Sequence, residues 1–269
     1  MAYSAKTNWK NNDIVTPDDL NRIEKGISDS AQKDLGNVTD AVFTAKAKKN
    51  NVAIYSTSLI TLTVSPSGND DTGTGTSSAP FRTIQKAIDA LPDCNNLGVR
   101  YTINVAEGSY PGFTLGAFKN ITMRMAGATI VEGDITVNAG NLTISTVQSG
   151  TTLTLSSGVI KVSGGSLDIN FAVTMTRATP GTGTAVTCDN GCHFGVKADF
   201  SIVNYNIGIN CSHSYISIRK LKIEAAVSGI ICESGIAQMG AEEVQADTKF
   251  VIQHGGRIYV GAQTSLPNY

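Results

Sequence analysis

Four short stretches of the chain resemble one another: CHFGV (192–196), SYISI (214–218), GIAQM (235–239) and GRIYV (256–260). Each begins with a small residue, and these first residues lie 22, 21 and 21 positions apart. The residues that follow mostly alternate between apolar and polar, which is typical of a β-strand with one buried face. A strand that returns at so regular an interval indicates a solenoid, in which each turn of the chain stacks on the one before.

Two further series of residues keep nearly the same repeat. One has steps of 23, 21 and 21 residues and comprises Cys188, Cys211, Cys232 and Gln253. The other has steps of 22 and 21 residues and comprises Ile207, Gly229 and Phe250. Three strands per repeat give a triangular coil, so the sequence predicts a mainly β protein built as a right-handed parallel β-helix of about 21–22 residues per rung. A propeller blade would need about 40 residues per repeat.

This geometry predicts which side chains fill the coil. Alternate residues of each strand point inward and stack on their equivalents, and the predicted inward set is Phe194, Val196, Ile216, Ile218, Met239, Ile258 and Val260. A ladder of small, apolar thiols is expected from Cys188, Cys211 and Cys232. With three histidines and no C-x-x-C pair, a metal site is the weaker alternative. We therefore predict no metal and no cofactor.

Residues 99–185 have the same character with a looser repeat. Strands are predicted at Leu59–Val64, Tyr101–Val105, Ile121–Met125, Ile135–Val137, Leu142–Ile144, Leu153–Leu155 and Val159–Val162. Residues 81–91 predict one amphipathic helix, with apolar side chains on a single face. We expect it to cap the first rung, because an open end would expose core and unpaired strand edges. Length divided by repeat gives about nine rungs.

The N-terminal part of the chain has helical periodicity. Thr16 and Pro17 suit the start of a helix, and the narrow apolar stripe that follows comprises Leu20, Ile23 and Ile27. Such a helix is marginal alone, so it is expected to pack in a short coiled coil of its own copies or on the protein body.

Two apolar residues, Trp9 and Ile14, precede this helix. They are expected either to contact the helix as a hydrophobic staple or to anchor the chain in another protein. A second helical stretch is expected from Val38 to about Lys49. We assign residues 1–52 to an N-terminal helical region and residues 53–269 to the β-helix.

Composition excludes several functional classes. The 269 residues carry a formal net charge of -1, which argues against a nucleic-acid-binding protein. The apolar fraction of 41% is enough for a sizeable core, but no apolar run is long enough to cross a membrane. The first residues, MAYSAKTNWKNND, lack the apolar region of an ordinary secretory signal.

Two segments carry a family resemblance. Residues 64–79, a strand and a Gly/Asp-rich loop, lead into PFRTIQKAIDALP (80–92). Together they resemble the start of pectate-lyase-like right-handed β-helices, as found in phage tail spikes and tail fibres. The stretches TNWK (7–10) and DDLNRIEKGI (18–27) resemble the virion-attaching start of phage and prophage fibre proteins from Gram-positive hosts.

The resemblance implies a structural protein of the virion, made in the host cytoplasm and exposed on the particle. It implies a homotrimeric fibre or spike whose N-terminus binds another virion protein and whose β-helix projects toward the host cell surface. Tail, baseplate and head remain open as locations, the last as a head fibre or capsid decoration. A polysaccharide-degrading depolymerase on the same coil is the enzymatic alternative.

An enzyme of this kind would need paired carboxylates on an outer face, about 5–9.5 Å apart. The outward candidates are Asp199, Glu224, Glu242 and Glu243, and the last two are the catalytic candidates to test. Because Lys220 and Lys222 lie on the intervening rung, we favour a ladder of opposite charges that holds the rungs in register. The acidic loop Asn69–Asp71 is expected to hold its own turn.

A binding surface needs less than catalysis does. One outward series carries aromatic, basic and amide side chains: His193, Lys197, Tyr215, Arg219, Gln238, Arg257 and Tyr259. Such a row could stack on sugars of a host glycan or meet a partner protein. An ordinary β surface or the trimer interface itself is the alternative that we favour.

Overall fold

A computed structural model of the chain describes residues 60–92, 100–116, 118–178 and 181–261, together with four two-residue strands. The described residues contain one helix, α1, Ile84–Ala90. The strands are β1 Lys48–Lys49, β2 Val52–Ala53, β3 Tyr55–Ser56, β4 Thr61–Val64, β5 Cys94–Asn95, β6 Tyr101–Val105, β7 Gly108–Leu115, β8 Asn120–Met125, β9 Thr129–Val137, β10 Gly140–Thr146, β11 Thr152–Ser156, β12 Ile160–Ser163, β13 Gly165–Ile169, β14 Ala172–Thr176, β15 Thr184–Asp189, β16 His193–Ser212, β17 Tyr215–Glu233, β18 Ile236–Gln245, β19 Thr248–Gln253 and β20 Arg257–Val260.

The predicted parallel β-helix is confirmed. On one side of the coil β4, β6, β8, β10 and β13 stack in parallel with the first parts of β16, β17 and β18, and with β20. One inward column crosses all nine strands in register: Leu62, Ile103, Met123, Ile144, Ile169, Val196, Ile218, Met239 and Val260. From β6 to β20 the chain completes about seven turns, fewer than the nine rungs expected from length.

The other two sides of the coil are built in the same way. One of them carries the inward column Tyr110, Val131, Leu155, Met175, Ile202, Ile223 and Val244. The other carries Leu115, Val137, Val162, Cys188, Cys211, Cys232 and Ile252. Most members of these columns are buried, so the core is a stack of apolar layers along the coil axis.

The predicted register is right in the first series and in the three cysteines of the second, and it is wrong by one residue in the third series and at Gln253. Ile207 pairs with Ser228 instead of Gly229, because β16 holds one extra residue between Val196 and Asp199. Such a β-bulge moves the following pairings by one position, and two further shifts around Tyr205 cancel each other before Ile207.

One connection between two sides of the coil is a residue shorter on the last rung than on the rung before it. Glu224 to Ser228 on β17 aligns with Gln245 to Thr248, so one residue of the connection is missing. As a result Cys232 pairs with Ile252, and the predicted pairing with Gln253 is wrong.

The last layer of the coil is only partly covered by described residues. Val260 occupies the inward column as predicted, yet 47% of it is exposed, and Ile252 is 54% exposed. Ile258 is half-buried for the same reason. This end of the coil therefore presents apolar side chains to solvent in the described part of the chain.

The opposite end is covered by α1. Ile84, Ala87 and Ile88 face the core, and the helix packs against β4 and β7. The helix is shorter than the predicted 81–91, because the Thr83 hydroxyl caps it by accepting from the Lys86 N–H at 3.2 Å. Phe81 instead forms a parallel bridge with Val64.

The chain divides into two compact units, residues 1–55 and 56–269. In the first unit β1 pairs antiparallel with β2. Lys48 and Lys49 are therefore strand residues, and the expected end of a helical stretch at Lys49 is wrong. Across the described residues there is no helix with the length and apolar character needed to cross a bilayer.

Candidate functional site

The predicted binding surface lies on the side of the coil that contains β13, the first parts of β16, β17 and β18, and β20. His193, Tyr215 and Arg257 share one outward column, with Ile236 between the last two. A neighbouring outward column comprises Asp168, Gly195, Ser217, Gln238 and Tyr259. The coil therefore brings together side chains from five successive strands, and the repeat predicted the last four of them.

Direct contacts fix the centre of this surface. The His193 and Tyr215 rings stack, with centroids 5.4 Å apart and planes 15° apart. His193 Nδ1 lies 3.7 Å from Asp168 Oδ2, and the Tyr215 hydroxyl donates to Gln238 Oε1 at 2.7 Å. The close contact with the Asp168 carboxylate raises the pKa of His193, and the imidazole in turn lowers the pKa of Asp168. The surface is thus ordered rather than a row of independent side chains.

Asp168 was not predicted as part of this surface. It lies 27 residues before Gly195, its partner on the next rung, whereas later rungs follow at 21 or 22. Because of this longer connection, the regular repeat did not place Asp168 in the column. The usable signal is the alternation in GSLDI (165–169), which matches CHFGV in pattern but not in spacing.

A shallow groove of about 250 Å³ runs beside these columns. Its polar lining consists of Lys197, Ser217, Arg219 and Gln238. Gly240 also lines the groove. Lys197 belongs to the β16 bulge, which turns the chain from one side of the coil to the next. Of the predicted surface residues, Lys197, Arg219 and Gln238 line this groove.

A second groove, of about 350 Å³, lies on the next side of the coil and carries charges of both signs. Lys220 Nζ lies 3.2 Å from Asp199 Oδ2 on the neighbouring rung. Lys222 Nζ lies 3.1 Å from Glu224 Oε1 and 3.8 Å from Glu243 Oε1. These contacts match the predicted ladder of opposite charges.

The expected outward position of Glu242 is wrong. Glu242 pairs with Leu221, which pairs with Phe200, and both of those side chains are buried in the core. Glu242 is half-buried, and its Oε2 atom is buried without a hydrogen-bond partner among the described residues. Successive strand residues face opposite sides of a strand, so Glu242 and the outward Glu243 reach the second groove from different directions, although both line it.

The remaining acids of this side stand singly in their columns. Asp199, Glu243 and Glu224 lie in three different outward columns, each aligned with a lysine or a neutral residue on the adjacent rung. Hydrogen bonding to Glu224 and the nearby Glu243 charge raise the pKa of Lys222. The ammonium group therefore stays protonated at neutral pH and is unsuited to act as a general base.

The cysteine ladder is present in the core. Cys188, Cys211 and Cys232 pair in register, and these three thiols and Cys192 are buried and free of disulfides. Hydrogen bonding to Cys192 and burial raise the pKa of Cys188. In the described part of the chain, no group of three His, Cys, Asp or Glu side chains is arranged to hold a metal ion.

The acidic loop has the structural role expected of it. Asn69 Oδ1 accepts from the N–H groups of Asp71 and Thr72 at 2.8 and 2.9 Å, which is an Asx turn. Asp70 Oδ1 accepts from the Arg82 N–H at 2.7 Å, and Asp70 Oδ2 accepts from the Thr83 hydroxyl at 2.7 Å. The loop therefore anchors the start of α1.

The residues predicted to attach and trimerise the chain cannot be placed in the same way. Trp9, Ile14, Leu20, Ile23 and Ile27 all lie outside the described residues.

No curated protein and no solved structure matches the chain. A family match covers residues 66–266, which span the loop before α1 and nearly all of the β-helix. That is about three quarters of the 269 residues. By this match the chain belongs to the family described as protein of unknown function (DUF1565).

Proposed function

We propose that the chain is a structural protein of a phage particle, a trimeric fibre or spike on the tail or baseplate. Its N-terminal region binds another virion protein, and its β-helix projects as a stiff shaft for attachment to the host cell surface. A head fibre or capsid decoration is the alternative location for the same molecule.

The observation that carries this proposal is the unbroken in-register column from β4 to β20. Each turn contacts only its neighbours, so the coil is a rod whose length grows with the number of turns. The helix α1 covers one end, and outward acids pair with lysines on adjacent rungs. A fibre shaft needs these properties, and the resemblances at residues 7–27 and 64–92 suggest the particle.

The assembly can be tested on the full chain by size exclusion with light scattering. We expect a mass of about 85 kDa, three times the 28.2 kDa chain. Replacing the apolar stripe by lysine (Leu20→Lys, Ile23→Lys and Ile27→Lys together) should give a monomer, because buried charges break a coiled-coil seam.

A control variant places the same charges on the polar face, as Asn21→Lys, Ser28→Lys and Gln32→Lys together. It should remain a trimer. A monomeric wild-type chain would contradict the trimeric fibre. Mass spectrometry of purified particles from the encoding phage or prophage tests the location, and absence from the particles would reject a virion role.

A depolymerase on the same coil is the second candidate. One observation favours it: Glu224 and Glu243 both contact Lys222, so two carboxylates approach each other on an exposed side of the coil. The double variant Glu224→Gln with Glu243→Gln should abolish turnover of host capsule or teichoic acid if this pair is catalytic. Absence of turnover by the wild-type chain on any host glycan would reject the enzyme.

A further inference from the structure

The groove beside the β16 bulge carries two cations with no acidic partner. Lys197 and Arg219 are exposed, and neither forms an ion pair with any described residue. Three other lysines of the coil surface differ, because Lys161, Lys220 and Lys222 each lie within 3.2 Å of a carboxylate oxygen. At this groove two cations therefore line one opening without an ion-pair contact, although the charge of Lys197 is near enough to Asp168 to help lower the pKa of that carboxyl.

The rest of the lining adds hydrogen-bond donors. The side-chain oxygen of Gln238, Oε1, already accepts from the Tyr215 hydroxyl at 2.7 Å. The side-chain amide nitrogen is therefore the group of Gln238 that can donate a hydrogen bond in the groove. Ser217 contributes a hydroxyl group, and no aspartate or glutamate lines the groove. Ammonium, guanidinium and amide donors around one opening are the chemistry that recognises a carboxylate, sulfate or phosphate.

The backbone keeps this opening clear. A side chain on Gly240 would place its Cβ only 2.5 Å from the Arg219 carbonyl oxygen, so that wall of the groove is bare. The bulge in β16 adds the residue that brings Lys197 to the opposite edge. Both features build the opening into the fold.

The size of the groove and its neighbours limit the ligand. Its volume of about 250 Å³ is below the ~300–1,000 Å³ of pockets that enclose a whole small molecule. It therefore suits one charged unit of a longer chain that continues along the surface. Tyr259 follows Gln238 in the same column and Tyr215 lies in the neighbouring column, so both offer aromatic surface to a sugar ring.

We propose that this groove binds the acidic group of an anionic polysaccharide, a phosphate, sulfate or carboxylate borne on a sugar chain. The inference rests on the proposed function, since it names the class of host-surface ligand that the shaft would meet. Cation pairing by Lys197 and Arg219 supplies the attraction, and the amide of Gln238 fixes the orientation of the acidic group.

Binding of the full chain to four polymers tests this proposal by calorimetry at low and moderate salt. The probes are phosphomannan, hyaluronan, neutral dextran and single-stranded DNA. We expect the two anionic glycan-type polymers to bind with salt-sensitive affinity and dextran not to bind. Equal binding of dextran, or tighter binding of DNA than of both anionic polymers, would overturn the proposal.

Variants that each remove one positive charge, inside or outside the groove, show whether binding depends on the groove or on the total charge of the surface. Lys197→Ala and Arg219→Ala should each weaken binding roughly tenfold, the effect of losing one charge-assisted hydrogen bond. Lys161→Ala and Lys220→Ala remove the same charge elsewhere and should change affinity less than about twofold. Equal losses in all four variants, or no binding by the wild-type chain, would reject the site.

Light scattering on the same samples keeps the two proposals apart. A trimer that binds no anionic polymer rejects the groove and leaves the fibre proposal standing. A monomer that binds, and that loses binding in Lys197→Ala, supports the groove and contradicts the trimeric fibre.

Discussion

Lys119 donates from its Nζ to the carbonyl oxygen of Ile88 at 2.7 Å, although only 4% of the lysine is exposed. Ile88 lies in the last turn of α1, and its carbonyl oxygen also accepts from the N–H of Leu91, the C-cap residue, at 3.2 Å. A cation at this end also complements the helix dipole. The buried lysine therefore fastens the capping helix to the first rungs of the coil.

Removing this contact should destabilise the coil. Lys119→Ala leaves the Ile88 carbonyl without this donor and opens space in the core, so we expect a loss of about 1–3 kcal/mol in the free energy of unfolding. Urea denaturation measures the loss. Lys161→Ala is the matched control, because Lys161 is exposed and its pair with Asp134 is worth under about 1 kcal/mol. Equal losses would contradict a capping role for Lys119.

The Asp70 carboxylate should make stability depend on pH at the same end of the molecule. Partial burial raises its pKa, but hydrogen bonds from the Thr83 side chain and from the Thr83 and Arg82 N–H groups outweigh burial and lower the pKa below 3.8. A lowered pKa gives stability that is present above the unfolded-state value and lost as the pH falls through the folded-state value.

At pH 7 we expect Asp70→Asn to cost about 1–2 kcal/mol in the free energy of unfolding. The difference from the wild-type chain should narrow below about pH 4, where the native carboxyl also becomes protonated. Thermal unfolding from pH 3 to 7 gives both results. Asp71→Asn, on an exposed neighbour, should change little, and a pH-independent loss in Asp70→Asn would contradict this assignment.

The cysteine ladder should require only small apolar side chains. Cys188 stacks between Val162 and Cys211, and it is fully buried. We expect Cys188→Val to change stability by less than about 1.5 kcal/mol, whereas Cys188→Asp should cost more than about 3 kcal/mol. Urea denaturation distinguishes the two. If the valine variant were damaged as severely as the aspartate variant, the thiol would have a role beyond packing.

Sequence alone predicted the part of the fold that depends on a short, regular pattern. Alternation and the 21–22-residue step placed Phe194, Ile216, Ala237 and Ile258 in one column, and the structure pairs them in that order. Single-residue changes in the connections were not visible, because a bulge leaves no compositional signal. The displaced pairings of Ile207 and Gln253 both arise in this way.

A corner of the coil was also missed. Asn190, His213, Ser234 and His254 have positive φ angles of 56°, 51°, 51° and 48°, at the same turn of four successive rungs. Asparagine and histidine are enriched in this conformation and serine is not, so the four residues share no single turn signature. The stacked backbone imposes the conformation instead: the His213 N–H donates to the Glu233 carbonyl on the next rung.

The sequence predicted which residues lie together in the candidate site, but not which side chains contact one another. His193 and Tyr215 fall at one repeat position, and this alone placed them together. Their partners Asp168 and Gln238 depend on irregular spacing and on side-chain orientation. Glu242 was assigned outward because it is charged, and burial of a charged residue at the last layer of a coil contradicts that general rule.

The inward position of Glu242 gives a specific prediction about the free energy of unfolding. Its inward column continues from Leu153, Val173, Phe200 and Leu221, and one carboxylate oxygen is buried without a hydrogen-bond partner among the described residues. A buried polar atom left unpaired costs about 1–3 kcal/mol. Replacement by a side chain that matches the column should recover part of that cost.

We therefore expect Glu242→Leu to raise the free energy of unfolding by about 1–2 kcal/mol, because leucine extends the apolar stack above Leu221. The adjacent Glu243→Leu points outward and gives up the 3.8 Å contact with Lys222, so it should be neutral or destabilising by less than about 1 kcal/mol. Parallel urea titrations of the two variants measure the difference. The reverse order of stabilities would mean that Glu242 faces solvent, and it would restore the carboxylate pair as a catalytic candidate.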